Sequence, residues 1–103
     1  MDRIERIKEM LKTNAGDSFL QHALALEYLK LGEEEAALQL FKNVIQDNED
    51  YVGSYYQLAK LLEQKNHVEE AKEIYEKGML KAKEAGDQHA YNELRAAYEE
   101  LIY

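Results

Sequence analysis

The strongest constraint on this chain is a pattern of small and apolar residues that recurs at an offset of 34 positions. The recurring residues are Leu24-Ala25, Ala37 and Phe41 in one copy and Leu58-Ala59, Ala71 and Tyr75 in the next. A unit of this length holds two amphipathic helices and the turn that joins them. Because alanines allow two helix axes to approach closely, the recurrence predicts an all-α fold in which antiparallel helix pairs stack on one another.

Composition and charge narrow both the fold and the partners. The chain has 103 residues, no proline and 33% charged residues, which favours a single domain that is almost entirely helical. Its 21 acidic and 13 basic side chains give a net charge of −8, so phosphate backbones and anionic lipid headgroups are repelled. We therefore expect neither nucleic acid nor a membrane surface as a partner.

Cysteine usage and targeting signals set the expected location. No cysteine is present, which excludes disulfides and thiolate chemistry. No apolar run approaches the ~20 residues of a membrane span, and the charged start of the sequence lacks the apolar segment of a secretion signal. The expected location is cytoplasmic, although a domain cut from a longer chain would show the same features.

Hydrophobic periodicity divides the chain into about six helices. We expect one domain over 1–103, with a half-repeat helix in 1–16, a first repeat in 17–50, a second repeat in 51–86 and a capping helix in 87–103. When the 34-residue offset is extended into the last segment, the apolar positions match only after a slip of one or two residues. That slip predicts a longer final connection.

Small and polar residues mark the helix ends. Gly32 ends one helix and Asn66 takes the equivalent place in the next repeat, because both residues tolerate positive φ. At the start of the second helix, Asp17 or Ser18 can act as the N-cap. Ser18 with Gln21 also has the spacing of a capping box.

The repeated residues resemble the signature of the tetratricopeptide repeat, a helix-turn-helix unit of 34 residues. The matching residues are Leu24-Ala25, Tyr28, Gly32, Ala37 and Phe41 in the first copy and Leu58-Ala59, Leu62, Asn66, Ala71 and Tyr75 in the second. The usual closing proline is missing from both copies, and Gly78 stands where a small apolar residue is expected. The resemblance implies a right-handed superhelical stack of antiparallel helix pairs, an α-solenoid, over nearly the whole chain.

The resemblance also implies a function, namely that a concave groove lined by the first helix of each pair binds a peptide or a partner protein. The groove positions in this sequence are Phe19, His22, Leu26, Leu29 and Lys30 from one helix and Tyr56, Lys60, Glu63 and Gln64 from the next. Some members of the family hold a partner's C-terminal carboxylate with lysine, asparagine and arginine. The matching positions here hold His22, Leu26, Gln57, Asp87 and Tyr91, so that clamp is absent.

Two alternatives remain open for the groove. Leu26 and Leu29 are unusually apolar for residues that face solvent, so either they form a contact site or another helix covers them and makes them core. Self-association into a homodimer is the alternative to binding a different partner, because tyrosine is enriched at protein interfaces and this chain has eight tyrosines.

Residues that could support catalysis, a cofactor or a metal are not arranged in a recognisable pattern. His22, His67 and His89 are scattered along the sequence, and His89 shares a helical face with Glu93 as a possible pair of ligands. The serines have neither an arranged base nor an oxyanion loop. We therefore expect a non-catalytic scaffold with no cofactor and no metal site.

Overall fold

The computed structural model describes residues 2–103 and contains six α-helices and no strand in that range. Met1, the first residue of the predicted half-repeat, lies outside the described residues. The helices are α1 (Arg3–Thr13), α2 (Ser18–Lys30), α3 (Glu34–Asp47), α4 (Gly53–Gln64), α5 (Val68–Ala85) and α6 (Gln88–Ile102). The prediction of an all-α chain with about six helices is confirmed.

The helices form two compact units. The first unit ends at Asn48 and contains α1, α2 and α3, with α2 packed against both of the other helices. The second unit spans Glu49–Tyr103 and contains α4, α5 and α6, with α5 packed against both of the others and α4 also in contact with α6. The repeat boundaries inferred from the sequence stay predictions.

The recurring small and aromatic residues lie in the interior of each unit. The alanines and aromatic residues that recur at the 34-residue offset have no exposed surface. They are Ala25, Ala37 and Phe41 in the first unit and Ala59, Ala71 and Tyr75 in the second. Each of these alanines is fully buried on a helix that packs against another helix of its unit, so a larger side chain there would overpack the interior. The packing role predicted for these residues is confirmed.

The turns that end α2 and α4 are built from the same hydrogen bonds, 34 positions apart. After α2, the amide of Gly32 donates to the Leu29 carbonyl (3.0 Å) and the amide of Glu33 donates to the Tyr28 carbonyl (2.9 Å). After α4, the Asn66 and His67 amides make the equivalent bonds to Glu63 and Leu62. These are Schellman motifs, which need a left-handed residue, and Gly32 and Asn66 have φ of 76° and 63°. The predicted helix ends are confirmed.

The cap of α2 differs in part from the expectation. Asp17 is the N-cap, since its side chain accepts a hydrogen bond from the Leu20 amide (2.9 Å). Ser18 is then the first helical residue, and the Gln21 side chain donates to the Ala15 carbonyl (2.7 Å) instead of reaching back to a cap. The predicted capping box is therefore wrong, because the Asp17 carboxylate occupies the capping position one residue earlier.

The extra residues before the last helix lie in helix α5 and not in the connection between α5 and α6. Helix α5 has 18 residues where α3 has 14, and only Gly86 and Asp87 separate it from α6. The predicted longer connection is therefore wrong. The segment before Gly86 consists of strong helix formers, so the helix continues where α3 stops at Asp47 and Asn48.

A close helix contact explains the unexpected glycine of α5. Gly78 is buried, and a Cβ placed on it would lie 2.7 Å from the Cβ of Tyr55 on α4 and 3.1 Å from Cδ1 of Leu94 on α6. Both distances are shorter than ordinary carbon contacts. Glycine at this position therefore allows α5 to pack closely against both of the other helices of its unit.

Glu49 and Asp50, at the start of the second unit, contact helices of that unit. The hydroxyl of the buried Tyr55 donates to the backbone carbonyl of Glu49 (2.7 Å). The Glu49 carboxylate pairs with Lys77 of α5 (2.9 Å), and Lys81 lies 3.8 Å from Asp50. Burial, and then the negative charges of Glu49 and Asp50, raise the pKa of Tyr55 to about 12. Tyr55 therefore stays a neutral donor over the physiological pH range.

Candidate functional site

Helix α2 carries a surface depression of about 420 Å³, which we name the α2 depression. Its lining residues are Arg3, Phe19, His22, Ala23, Leu26, Glu27, Leu29 and Lys30. All of the groove positions predicted on this helix, Phe19, His22, Leu26, Leu29 and Lys30, are among them. Only Arg3 comes from another helix, α1.

The apolar part of the α2 depression is accessible from outside. Phe19 is 66% exposed, and Leu26 and Leu29 are half-buried. Leu24, on the opposite side of the same helix, is buried in the core, and Ala25 is buried beside it. Helix α2 is therefore apolar on two faces, only one of which packs fully inside the unit. Phe19, Leu26 and Leu29 line one depression together, and a contiguous accessible apolar area of this kind marks a contact site more often than a single exposed apolar residue does.

His22 forms one wall of the α2 depression. Its ring packs edge-on against the buried Phe41 ring of α3, with 5.4 Å between centroids and 61° between planes. Burial lowers the pKa of His22 below its ordinary value of 6.5, because the cationic form is less well solvated there. The ring is therefore neutral at pH 7 and contributes mainly an aromatic surface to the site.

Charged groups occupy one end of the α2 depression. Arg3 Nε lies 3.0 Å and Lys30 Nζ 3.1 Å from the same carboxylate oxygen, Oε2 of Glu27. The hydrogen bond from Lys30 and then that from Arg3 lower the pKa of Glu27, which remains ionised. We name Arg3 and Lys30, with the Glu27 carboxylate between them, the cationic end.

A second depression, of about 340 Å³, adjoins the cationic end. Its lining residues are Asp2, Arg3, Ile4, Glu27, Lys30 and Leu31. Leu31 is 65% exposed, so apolar surface continues past the charged groups toward the end of α2. The Arg3–Glu27–Lys30 cluster therefore separates two accessible apolar areas of the first unit.

Sequence reasoning missed Arg3 and Glu27. The spacing of Glu27 and Lys30, three residues apart on one helix, is a recognisable ion-pair signal. Arg3, in contrast, is 24 positions from Glu27, and their contact depends on how α1 packs on α2. Nothing in the local pattern around Arg3 indicates that contact.

The predicted groove positions on α4 form a separate cluster in the second unit. Lys60 Nζ lies 5.9 Å from the centroid of the Tyr56 ring and 3.8 Å from Oε2 of Glu63. The hydroxyl of the buried Tyr75 donates to the same Glu63 carboxylate, and burial followed by this bond raises the pKa of Tyr75. Gln64 is exposed at the end of α4. Glu63 therefore supports its own unit by anchoring Tyr75 and pairing with Lys60.

Residues 2–103 contain neither a metal-binding cluster nor a membrane-spanning helix. No group of three or more histidine, cysteine or carboxylate side chains in that range is placed to hold a metal ion. His89 Nε2 lies 3.9 Å from the Glu93 carboxylate, and both side chains are largely exposed. Within the same range, every helix is too short or too polar to cross a membrane.

Comparison with known proteins gives a consistent result. The sequence model of the tetratricopeptide repeat matches residues 28–98 of this chain. The crystal structure of a tetratricopeptide repeat domain protein from Salinibacter ruber is 37% identical, with a TM-score of 0.81 over 84% of this chain and 96% of that one. Among curated proteins, none matches the chain significantly.

More distant structures share the fold. The TPR2B domain of yeast Sti1, solved as a complex with pHsp70, is 18% identical, with a TM-score of 0.87 over 96% of this chain and 79% of that one. The first TPR of Spaghetti (RPAP3), bound to the HSP90 peptide SRMEEVD, is 22% identical, with a TM-score of 0.74 over 97% of this chain and 78% of that one. At these identities the likeness concerns the fold alone.

Proposed function

Since the chain belongs to the tetratricopeptide repeat family, we propose that it is a non-catalytic interaction module that binds a peptide or a partner protein. Domains of this family are commonly protein–protein interaction modules. Two of the similar structures hold such ligands, namely the Sti1 domain with pHsp70 and the Spaghetti domain with an HSP90 peptide. The fold alone names a class of activity, so the argument for this chain depends on its own surface.

The observation that carries the proposal is the α2 depression. It combines an exposed aromatic residue, half-buried leucines and a charged end, which is the usual composition of a peptide-binding surface. We assign binding to Phe19, His22, Leu26, Leu29 and Lys30 on α2 and to Tyr56, Lys60, Glu63 and Gln64 on α4. The apolar residues provide affinity, and the polar residues select the sequence of the partner.

The test is affinity capture with two double variants of the full chain. Phe19→Ala with Leu26→Ala removes apolar surface from the α2 depression. The matched control, Met10→Ala with Leu80→Ala, removes apolar side chains that are 47% and 54% exposed but line no part of the depression. We expect the wild type and the control to retain the same proteins and the F19A/L26A variant to lose them.

Circular dichroism separates loss of binding from loss of fold. The F19A/L26A variant is expected to keep a wild-type helical spectrum, because Phe19 is mostly exposed and Leu26 is only half-buried. Undiminished capture by this variant would refute the proposed surface. A collapsed spectrum would refute it as well, because these residues would then be essential to the core.

Self-association is the second function to be distinguished, because the exposed Phe19 can also contact another copy of the chain. Sedimentation at micromolar concentration measures it directly. A dimer that the F19A/L26A variant disrupts and the control variant keeps would assign the α2 depression to a homodimer. A monomer at all concentrations leaves binding of a different protein as the function.

A further inference from the structure

We infer that the partner of the α2 depression is a peptide segment that places apolar side chains beside Phe19 and Leu26 and an acidic side chain at the cationic end. This inference rests on the proposed function and adds the chemistry of the partner to it. Three features of the first unit lead to it: the local charge, the hydrogen-bond donors that remain at the cationic end, and the adjoining apolar surface.

The α2 depression has the opposite sign of charge to the chain as a whole. Its charged lining consists of two cations, Arg3 and Lys30, and one anion, Glu27, so its net charge is +1. The chain as a whole carries −8. His22 adds no positive charge at pH 7, because burial lowers its pKa. A segment with one negative charge therefore neutralises the depression. A cationic segment would be repelled by the depression and would also lose the solvation of its own charge on binding.

The second nearby acid lies outside the α2 depression. Asp2 lines the adjoining depression and not this one, and as the N-cap of α1 its negative charge faces the positive end of that helix, where its Oδ1 accepts the Glu5 amide (2.8 Å). The single carboxylate of Glu27 pairs with both Arg3 and Lys30, which contact the same carboxylate oxygen. One unit of positive charge at the cationic end is therefore not balanced by the acid beside it.

Hydrogen-bond donors remain at the cationic end. Arg3 uses Nε in its contact with Glu27, whereas a guanidinium group has five N–H donors in total. Lys30 makes one hydrogen bond to Glu27 and has three donors. The two side chains are 65% and 70% exposed, so a carboxylate that approaches from solvent can reach them. An arginine beside a lysine is well suited to bind such a group through charge-assisted hydrogen bonds.

The apolar surface limits the size and kind of the partner. A depression of about 420 Å³ is in the size range of ligand sites and fits a short peptide segment, and the adjoining depression extends the accessible apolar area past the cationic end. An acidic side chain is therefore expected to be flanked by apolar ones. A uniformly acidic segment would leave Phe19 exposed to water and would also be repelled by the rest of the chain.

Selection from a phage-displayed library of random 12-residue peptides, with the full chain as the target, tests the inference. We expect the selected peptides to combine apolar residues with at least one Asp or Glu more often than the unselected library does. One selected peptide is then synthesised in two forms, as selected and with its acidic residues replaced by the corresponding amides. Affinities of both forms are measured by fluorescence anisotropy.

Two double variants assign the charge effect to the cationic end. Arg3→Gln with Lys30→Gln is expected to weaken the acidic form by about three- to tenfold and to leave the amide form unchanged. The matched control, Arg6→Gln with Lys12→Gln, also removes two positive charges from the first unit. Lys12 in addition pairs with Glu9 at 3.1 Å with the same three-residue spacing as Lys30 with Glu27. The control is expected to bind both forms as the wild type does.

A third variant reverses the direction of the effect. Glu27→Gln releases Arg3 and Lys30 from their carboxylate partner, so the acidic form is expected to bind more tightly than it binds the wild type. This gain cannot arise from loss of structure. Equal or weaker binding by this variant would contradict the assignment of the cationic end.

The outcomes separate the inference from the proposed function. If the F19A/L26A variant loses the selected peptides but those peptides show no enrichment in acids, the inference is wrong and the proposed function stands. If the selected peptides bind the F19A/L26A variant as well as the wild type, or none is selected, the inference is wrong. The proposed function is wrong as well if this variant captures proteins as the wild type does. Equal weakening by the two charge-removing variants would also overturn the inference, because only the overall charge would then matter.

Discussion

Replacing Gly78 with alanine tests how strongly close helix packing constrains the second unit. Alanine is favoured over glycine inside a helix by about 1 kcal/mol. Against this, the new Cβ would lie 2.7 Å from Cβ of Tyr55, so the two helices must separate by about 1 Å to reach an ordinary carbon contact. Overpacking of this kind costs typically about 1–3 kcal/mol. Since Tyr55 is fully buried and its hydroxyl is bonded to Glu49, we expect the upper part of that range.

The net expectation for Gly78→Ala is a loss of about 1–2 kcal/mol in the free energy of unfolding. For a chain of this size, that loss corresponds to a fall of about 5–15 °C in the melting temperature. Thermal and urea unfolding followed by circular dichroism at 222 nm measure both quantities. Gly16→Ala is the matched control, because a Cβ there has no atom within 4 Å and φ is not positive, so equal or slightly higher stability is expected.

Stability of Gly78→Ala equal to or above that of the wild type would refute this reasoning. It would mean that helix propensity outweighs the contact and that α4 and α5 separate at little cost. A loss of similar size in Gly16→Ala would also contradict it, because the effect would then reflect glycine replacement in general and not the close approach.

Three further predictions concern turns and titrating groups. Gly32→Ala and Asn66→Ala are each expected to lower the free energy of unfolding by about 1 kcal/mol, because both positions have positive φ. Urea unfolding measures this, and Asn66→Gly is the control, with stability expected to be equal to or above that of the wild type. Absorbance at 295 nm during an alkaline titration is expected to show that Tyr55 and Tyr75 ionise only well above the ordinary tyrosine pKa of 10, because burial raises the pKa of both hydroxyls. Burial lowers the pKa of His22 in the folded state, so the unfolded state binds more protons and the free energy of unfolding is expected to fall as the pH drops below 6.5. Melting curves recorded at several pH values measure this fall, which is expected to be smaller in His22→Gln.

Much of the fold could be predicted because it repeats. A buried alanine such as Ala25 recurs 34 positions later as Ala59, and the positive-φ residue Gly32 recurs as Asn66. Each of these signals is local and is set by steric requirements: a small side chain where helices touch, and a left-handed residue where a helix ends. Two copies at one spacing make the pattern recognisable even though each copy is degenerate.

The remaining features depend on competition or on distant contacts. Asp17 and Ser18 are both good caps, and which of them starts the helix is decided by a difference too small to be predicted from the pattern. The α2 positions of the groove are implied by the resemblance to the tetratricopeptide repeat, whereas Arg3 joins them through the packing of α1 on α2. Glu63, predicted to face a partner, is held by Tyr75, and that contact requires knowledge of how α4 packs against α5.

The fastening of Glu49 and Asp50 to their own unit gives the chain a suitable junction for building chimaeras. A fusion made between Asn48 and Glu49 transfers the contacts of Glu49 with Tyr55 and Lys77 intact, because all of these residues lie on the downstream piece. A junction a few residues later would replace Glu49 and so remove the carboxylate that pairs with Lys77 of α5. Designers who splice helical arrays from different proteins can therefore use the peptide bond after Asn48 as a clean boundary.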